Sequence, residues 1–235
     1  MTSESATLPR KTDNLPSGEQ LFRTIPIHKE ELFSSLSHGL AAATGAIGTI
    51  WLALHAASGP LLFVGLVYCF SMMFMFTASA TYHALRFTSR GQSLWRRIDH
   101  LAIFFMIAGS YTPICFVHLN GAWRWSVLGV QWGLVALGLL FKLYFLHTPR
   151  WVTAAIYVVM GWIALIPINH LAASMPSQAL WLLFLGGVSY TVGALIYAVK
   201  RPNPFPGVFG FHEIFHVFVV AGAAFHYALV VGVVT

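Results

Sequence analysis

Charge is scarce in this chain: 9% of its 235 residues are charged and only seven are acidic. Soluble domains carry about 25% charged residues, so a water-facing surface is excluded for most of the sequence. Cysteine is nearly absent. Cys69 and Cys115 both lie inside apolar stretches, without C-x-x-C spacing or a disulfide framework, and read as small packing residues. No internal repeat of fixed period is present, which argues against the inverted halves of many transporters. Nor do the first residues carry the basic, apolar and cleavage-site pattern of a signal peptide. Residues 1–29 are polar and rich in Pro, Ser and charge, and are expected to form a cytoplasmic arm ahead of a membrane domain over 30–235.

What the chain has is apolar residues, 57% of the total. A hydrocarbon core of about 30 Å needs roughly 20 apolar residues per helix, so seven spans take about 140 residues and leave only short connections. Apolar runs bounded by turn formers and charge predict helices near 33–55, 61–85, 99–118, 125–146, 151–169, 179–199 and 211–234. The expected fold is an all-α membrane protein, a bundle of seven transmembrane helices.

Orientation follows from Lys and Arg. Arg10, Lys11, Arg23 and Lys29 precede the first helix. Arg86, Arg90, Arg96 and Arg97 join the second to the third, Lys142 and Arg150 the fourth to the fifth, and Lys200 and Arg201 the sixth to the seventh. These are twelve of the thirteen basic residues, and Arg124 alone lies opposite. The positive-inside rule then puts the N-terminus in the cytoplasm and the C-terminus outside. The net charge of +6 is dispersed beside apolar segments, which points to lipid headgroups and not to nucleic acid as its partner. Trp123, Trp125, Trp151 and Trp181 fall at span ends, as interfacial aromatics do.

Ionisable groups in membrane spans are costly and mark functional sites. Glu4, Asp13, Glu19, Glu30 and Glu31 lie at or before the start of the first helix, leaving Asp99 and Glu213 in the membrane body. His83 closes the second helix, and His212 and His216 open the seventh, so all three meet at one depth. A pair at i and i+4 projects from one helical face, and a third imidazole completes a set with an open fourth position, the catalytic type of zinc site. Asp99, sixteen residues after His83, returns to that depth. It could orient a water, take its proton, or hold a ligand imidazole by its second nitrogen. Ser79, one turn deeper than His83, could hydrogen-bond the water or a substrate group.

A plainer reading stands beside each of these. Buried histidines often bond only to backbone carbonyls or to each other. Glu213 points about 100° away from His212 and reads as structural or headgroup-facing. His100 and His226 read as packing or hydrogen-bonding residues, the latter about 15 Å deeper than His216. For His38, near the end of the first helix, packing is favoured over a place in the site. His55, His118 and His170 belong to the opposite face, and His147 to a turn. Gly109-Ser110-Tyr111-Thr112-Pro113 predicts a kink or a close helix contact.

The motifs S-A-T-Y-H (79–83), R-I-D-H-x-A-I (97–103), I-A-G-S-Y-T-P (107–113) and H-E-I-F-H (212–216) together resemble the hemolysin III family of the progestin and adipoQ receptor superfamily. The resemblance extends over about 30–232 and includes E-E-x-x-x-S-L-S-H-G at the first helix. It implies seven helices, a cytoplasmic N-terminus, and zinc held by His83, His212 and His216 with Ser79 and Asp99 alongside. Family members often carry Asn where this chain has Ser34 or Ser35. The family's receptors resemble lipid amidases of the ceramidase type, its bacterial members are linked to membrane lipid homeostasis, and its name comes from cell lysis.

The expected activity is therefore zinc-dependent hydrolysis of a lipid amide or ester, with Asp99 as proton acceptor, an acyl chain in a groove between helices, and the basic segment 86–97 near an anionic headgroup. A bacterial inner membrane is the expected location. Two alternatives remain: a membrane-fluidity sensor with zinc clipping the second and seventh helices together, and a pore-forming or cytolytic protein. The last fits poorly, because the polar residues cluster at one face instead of recurring through the membrane's thickness.

Overall fold

The computed structural model describes residues 29–85, 89–144 and 148–235, and among these it is helical with no strand. The helices are α1 Lys29–His55, α2 Gly59–Ala84, α3 Ser89–His118, α4 Gly121–Tyr144, α5 Arg150–Gly161, α6 Ile168–Ser174, α7 Ser177–Val199 and α8 Phe211–Val234, with a 3-10 turn Trp162–Leu165 after α5. Six are long and apolar enough to cross a membrane, and α5 with its 3-10 turn and α6, bent by 55°, make a seventh if counted as one broken span. The residues expected to form the arm, the basic residues Arg10, Lys11, Arg23 and Arg86, and His147 lie outside the described residues.

Three boundaries differ from expectation. α1 begins at Lys29, ahead of the expected start near 33, so Glu30 and Glu31 lie within the helix and not before it. α3 begins at Ser89, so Arg90, Arg96 and Arg97 sit on the first turns of a helix and not in a loop. Apolar periodicity alone misses such an extension, because these turns project beyond the apolar run. The fifth span is broken where a continuous helix over 151–169 was expected, since Pro167 removes a backbone donor and Gly161 weakens the helix before it.

Backbone groups freed by a break inside a membrane need partners, and α3 and α4 supply them. Tyr111 donates to the carbonyl of Gly161 (2.7 Å) and accepts from the amide of Ala164 (2.7 Å). Gln131 donates to the carbonyl of Met160 (3.0 Å). Tyr157 of α5 donates to the carbonyl of His100 (2.8 Å), tying the broken span to α3 near its start.

Close approaches set the remaining packing. A Cβ on Gly109 would meet Ser71 Oγ at 2.4 Å, so the 109–113 motif is a close contact between α3 and α2. α7 and α8 interlock reciprocally. The ring of His226 lies against Gly186 and the ring of Tyr190 against Gly222, each in space that a Cβ on the glycine would fill. Each glycine precedes by four residues the aromatic that its own helix inserts into the other.

α1 is apolar outward, and inward it is polar over its first turns and buries Ala41 and Leu52 further along. Leu36, Leu40, Ile47, Ile50 and Leu54 are exposed, whereas Ser34 and His38 are buried. The four tryptophans at span ends are exposed as well. Such a surface is stable only in lipid.

Candidate metal centre

Two helix ends build the site. The loop after α7 closes on the start of α8, where Asn203 Oδ1 accepts from the amide of Phe211 (3.0 Å) and Glu213 Oε2 from the amide of Gly210 (2.8 Å). These caps satisfy orphan donors and fix the first turn of α8, which carries His212, with His216 one turn on. α2 ends beside it and delivers His83.

Nε2 of His212 lies 3.3 Å from Nε2 of His83 and 3.1 Å from Nε2 of His216, and the three residues offer ligand atoms that all fall within 4.8 Å of one another. Two nitrogens each about 2.05 Å from one ion at the tetrahedral angle stand about 3.3 Å apart, so the separations of His212 from His83 and from His216 suit metal coordination. His83 Nδ1 donates to Glu31 Oε2 at 2.6 Å. A neutral ring that donates through Nδ1 leaves Nε2 as a bare acceptor. With Nε2 of His83 bare and the other two imidazoles beside it, this group can hold a metal ion.

A cavity of about 980 Å³ opens from the histidines. It contains Ser79 and Asp99 at their end and runs along α8 from Phe211 to His226, roughly 22 Å at 1.5 Å per residue. Ile107, Ile114, Leu171, Leu180 and Phe184 line its deeper part, which is apolar. Arg96 and Arg150 line its walls too. Arg150 lies over the Tyr197 ring (5.5 Å), and that ring is 5.8 Å from His212.

The structure thus gathers all five residues singled out from the sequence around one cavity end. Asp99 is partly buried on the wall, with Oδ2 3.8 Å from His100 Nδ1, and is not one of the converging ligand atoms. Of the three roles open to Asp99, holding the second nitrogen of His83 is filled by Glu31 instead. His100 bonds to the Arg96 carbonyl (2.6 Å) and His226 to the Leu183 carbonyl on α7 (3.4 Å), in keeping with their plainer readings. Glu213 is buried and accepts from Ser34 (3.3 Å), so it is structural and not headgroup-facing.

Sequence reasoning undervalued two residues. His38 is buried with its ring 3.9 Å from that of His216, and Glu31, set aside with the carboxylates at or before the start of the first helix, bonds a member of the tripod. A signal was available: Glu31, Ser34 and His38 are spaced i, i+3, i+7 and fall within about 60° of one another around a helix, a polar stripe on an otherwise apolar span.

Apolar spanning helices around a buried three-histidine group define a multi-pass integral membrane protein with a candidate metal centre. Comparison with known proteins gives its family. The Haemolysin-III related family matches residues 27–227. Hemolysin-3 of Bacillus cereus is 31% identical over 211 residues, 88% of this chain and 92% of that protein. The Hemolysin-3 homolog of Bacillus subtilis is 31% identical over 199 residues, 83% of this chain and 90% of that protein. The adiponectin receptor protein of Drosophila melanogaster is 28% identical over 249 residues, 91% of this chain but 52% of the receptor. The chain belongs to the hemolysin III family of the progestin and adipoQ receptor superfamily.

Proposed function

We infer that this protein is a zinc-dependent hydrolase of a lipid amide or ester bond. The observation that carries the reading is the convergence of three imidazole nitrogens, with an open side, at the end of a long apolar cavity that also holds a carboxylate. Three neutral nitrogens suit zinc, and an open fourth position is the mark of catalytic sites.

Zinc held by His83, His212 and His216 would supply Lewis acidity, polarising the scissile carbonyl and lowering the pKa of the attacking water towards about 7. Asp99 takes the proton of that water and returns it to the leaving amine or alcohol, as a carboxylate on the cavity wall can. Ser79 orients the water or the carbonyl by hydrogen bonding. The deeper cavity accepts the acyl chain and excludes water from it. Arg96 and Arg150 attract an anionic headgroup at the mouth.

The basic-residue asymmetry supports a cytoplasmic N-terminus and a site facing the cytoplasm. Counting α5 and α6 as one crossing keeps Arg150 and Lys200 on the same side, which fits the same orientation. The bacterial relatives support placement in a bacterial plasma membrane, which in a cell with two membranes is the inner one.

The test is release of free fatty acid, measured by mass spectrometry, from a panel of N-acyl and ester lipids presented with the detergent-purified protein. Zinc-loaded protein is expected to turn over at least one class, to stop after chelation, and to resume on resupply of zinc. No release from any lipid by zinc-loaded protein contradicts the hydrolase reading and leaves zinc as a clip between α2 and α8.

A further inference from the structure

The inward face of α1 touches the metal centre and its surroundings at three points, two of them on histidines of the group and one on the carboxylate that caps α8. Glu31 accepts from His83 Nδ1 at 2.6 Å. Ser34 donates to Glu213 at 3.3 Å, and Glu213 in turn holds the amide of Gly210 at 2.8 Å. His38 packs against His216 with ring centroids 3.9 Å apart and also meets Phe76 edge-on at 5.0 Å. One helix thereby braces the end of α2, the first turn of α8 and the residue one turn further on.

Resting on the zinc reading above, we propose that the Glu31–Ser34–His38 face of α1 is the outer support of the three-histidine centre, with Glu31 the positioning residue that presents Nε2 of His83 to the ion. A ligand imidazole has two nitrogens and a freely turning ring. A carboxylate bonded to one nitrogen selects the tautomer whose other nitrogen is bare, fixes the ring's direction and makes the ligand more basic. Glu31 meets the geometric condition, and its hydrogen bond is short, as charge-assisted bonds are. The side chain of His83 is only 4% exposed and that of Glu31 23%. A surface ion pair contributes little to stability, so a carboxylate held against a nearly buried imidazole points to a positioning role.

Ser34 and His38 act on the other two ligands. Ser34 steadies the carboxylate that caps α8, and so the turn bearing His212. His38 limits rotation of the His216 ring by packing against it. α1 contributes none of the three converging nitrogens, yet it sets how well they are held.

The experiment measures zinc affinity by chelator competition on the purified full-length protein, for wild type, Glu31→Gln, Glu31→Asp and Glu31→Ala. Cobalt absorption spectra and metal-free melting temperatures are recorded beside it. Glu31→Gln keeps size and shape but loses the carboxylate, and its expected effect is a 10–100-fold weaker zinc affinity, the usual cost of losing such a partner. A shifted cobalt ligand-field band and an unchanged metal-free melting temperature should accompany it. Glu31→Asp should recover part of the affinity. If Glu31→Gln and Glu31→Ala bind zinc as wild type does, with the same cobalt spectrum, Glu31 is a bystander and the proposal is overturned. If wild type itself takes up neither zinc nor cobalt, the zinc reading falls first and the proposal with it, a result distinct from equal affinities across the series.

Discussion

Asp99→Asn should purify with its full complement of zinc and hydrolyse lipid 10²–10⁴-fold more slowly than wild type, the usual span for loss of a general base. Metal should survive because Asp99 is not one of the three converging ligands. Asn keeps the size of the side chain and its hydrogen-bonding reach, so substrate can still be held, but an amide cannot take up a proton at neutral pH. The loss should therefore fall on kcat, with KM little changed. Steady-state fatty-acid release checks it, with metal content measured on the same preparation. Wild-type turnover in Asp99→Asn would remove the base role and transfer it to another cavity residue.

Removing zinc should cost the fold as well as the chemistry. The ligands come from α2 and α8, which the chain joins only through the helices between them, so one ion closes a long loop. Any ligand bound by the native state alone stabilises it by RT ln(1 + [L]/Kd), about 4.1 kcal/mol at a thousandfold excess over Kd. Chelation should accordingly lower the melting temperature of wild type, and zinc should restore it. His83→Ala should melt near the chelated wild type and respond weakly to either treatment. A wild-type melting temperature indifferent to chelation and resupply would mean that no ion bridges the two helices.

The long apolar helices and the meeting of the three histidines were legible in the sequence because lipid imposes a severe rule. Long apolar runs have one reading in a membrane, and each charged interruption stands out. The i, i+4 pair His212 and His216 was visible for the same reason, with the end of the 61–85 run bringing His83 to their level. The break at 161–167 was not, because Gly161 and Pro167 are compatible with a continuous kinked helix until the partners of the freed backbone are known. Those partners are Tyr111 and Gln131, some 50 and 30 residues earlier in the chain. Glu31 was missed through its neighbours. Surrounded by charge at the head of an apolar run, it looks like the last polar residue before a membrane, and only the packing of α1 on α2 turns it towards His83. The interlock of Gly186 with His226 and Gly222 with Tyr190 was beyond sequence reading, since it depends on the register between two helices.

Everything proposed for this chain depends on an ion at the three histidines. Elemental mass spectrometry of the detergent-purified wild type beside the His212→Ala/His216→Ala double variant tests that most directly. The account predicts about one zinc per chain in wild type and none in the variant. Wild type that carries no zinc after resupply would contradict it, leaving a bundle whose histidines bond to one another.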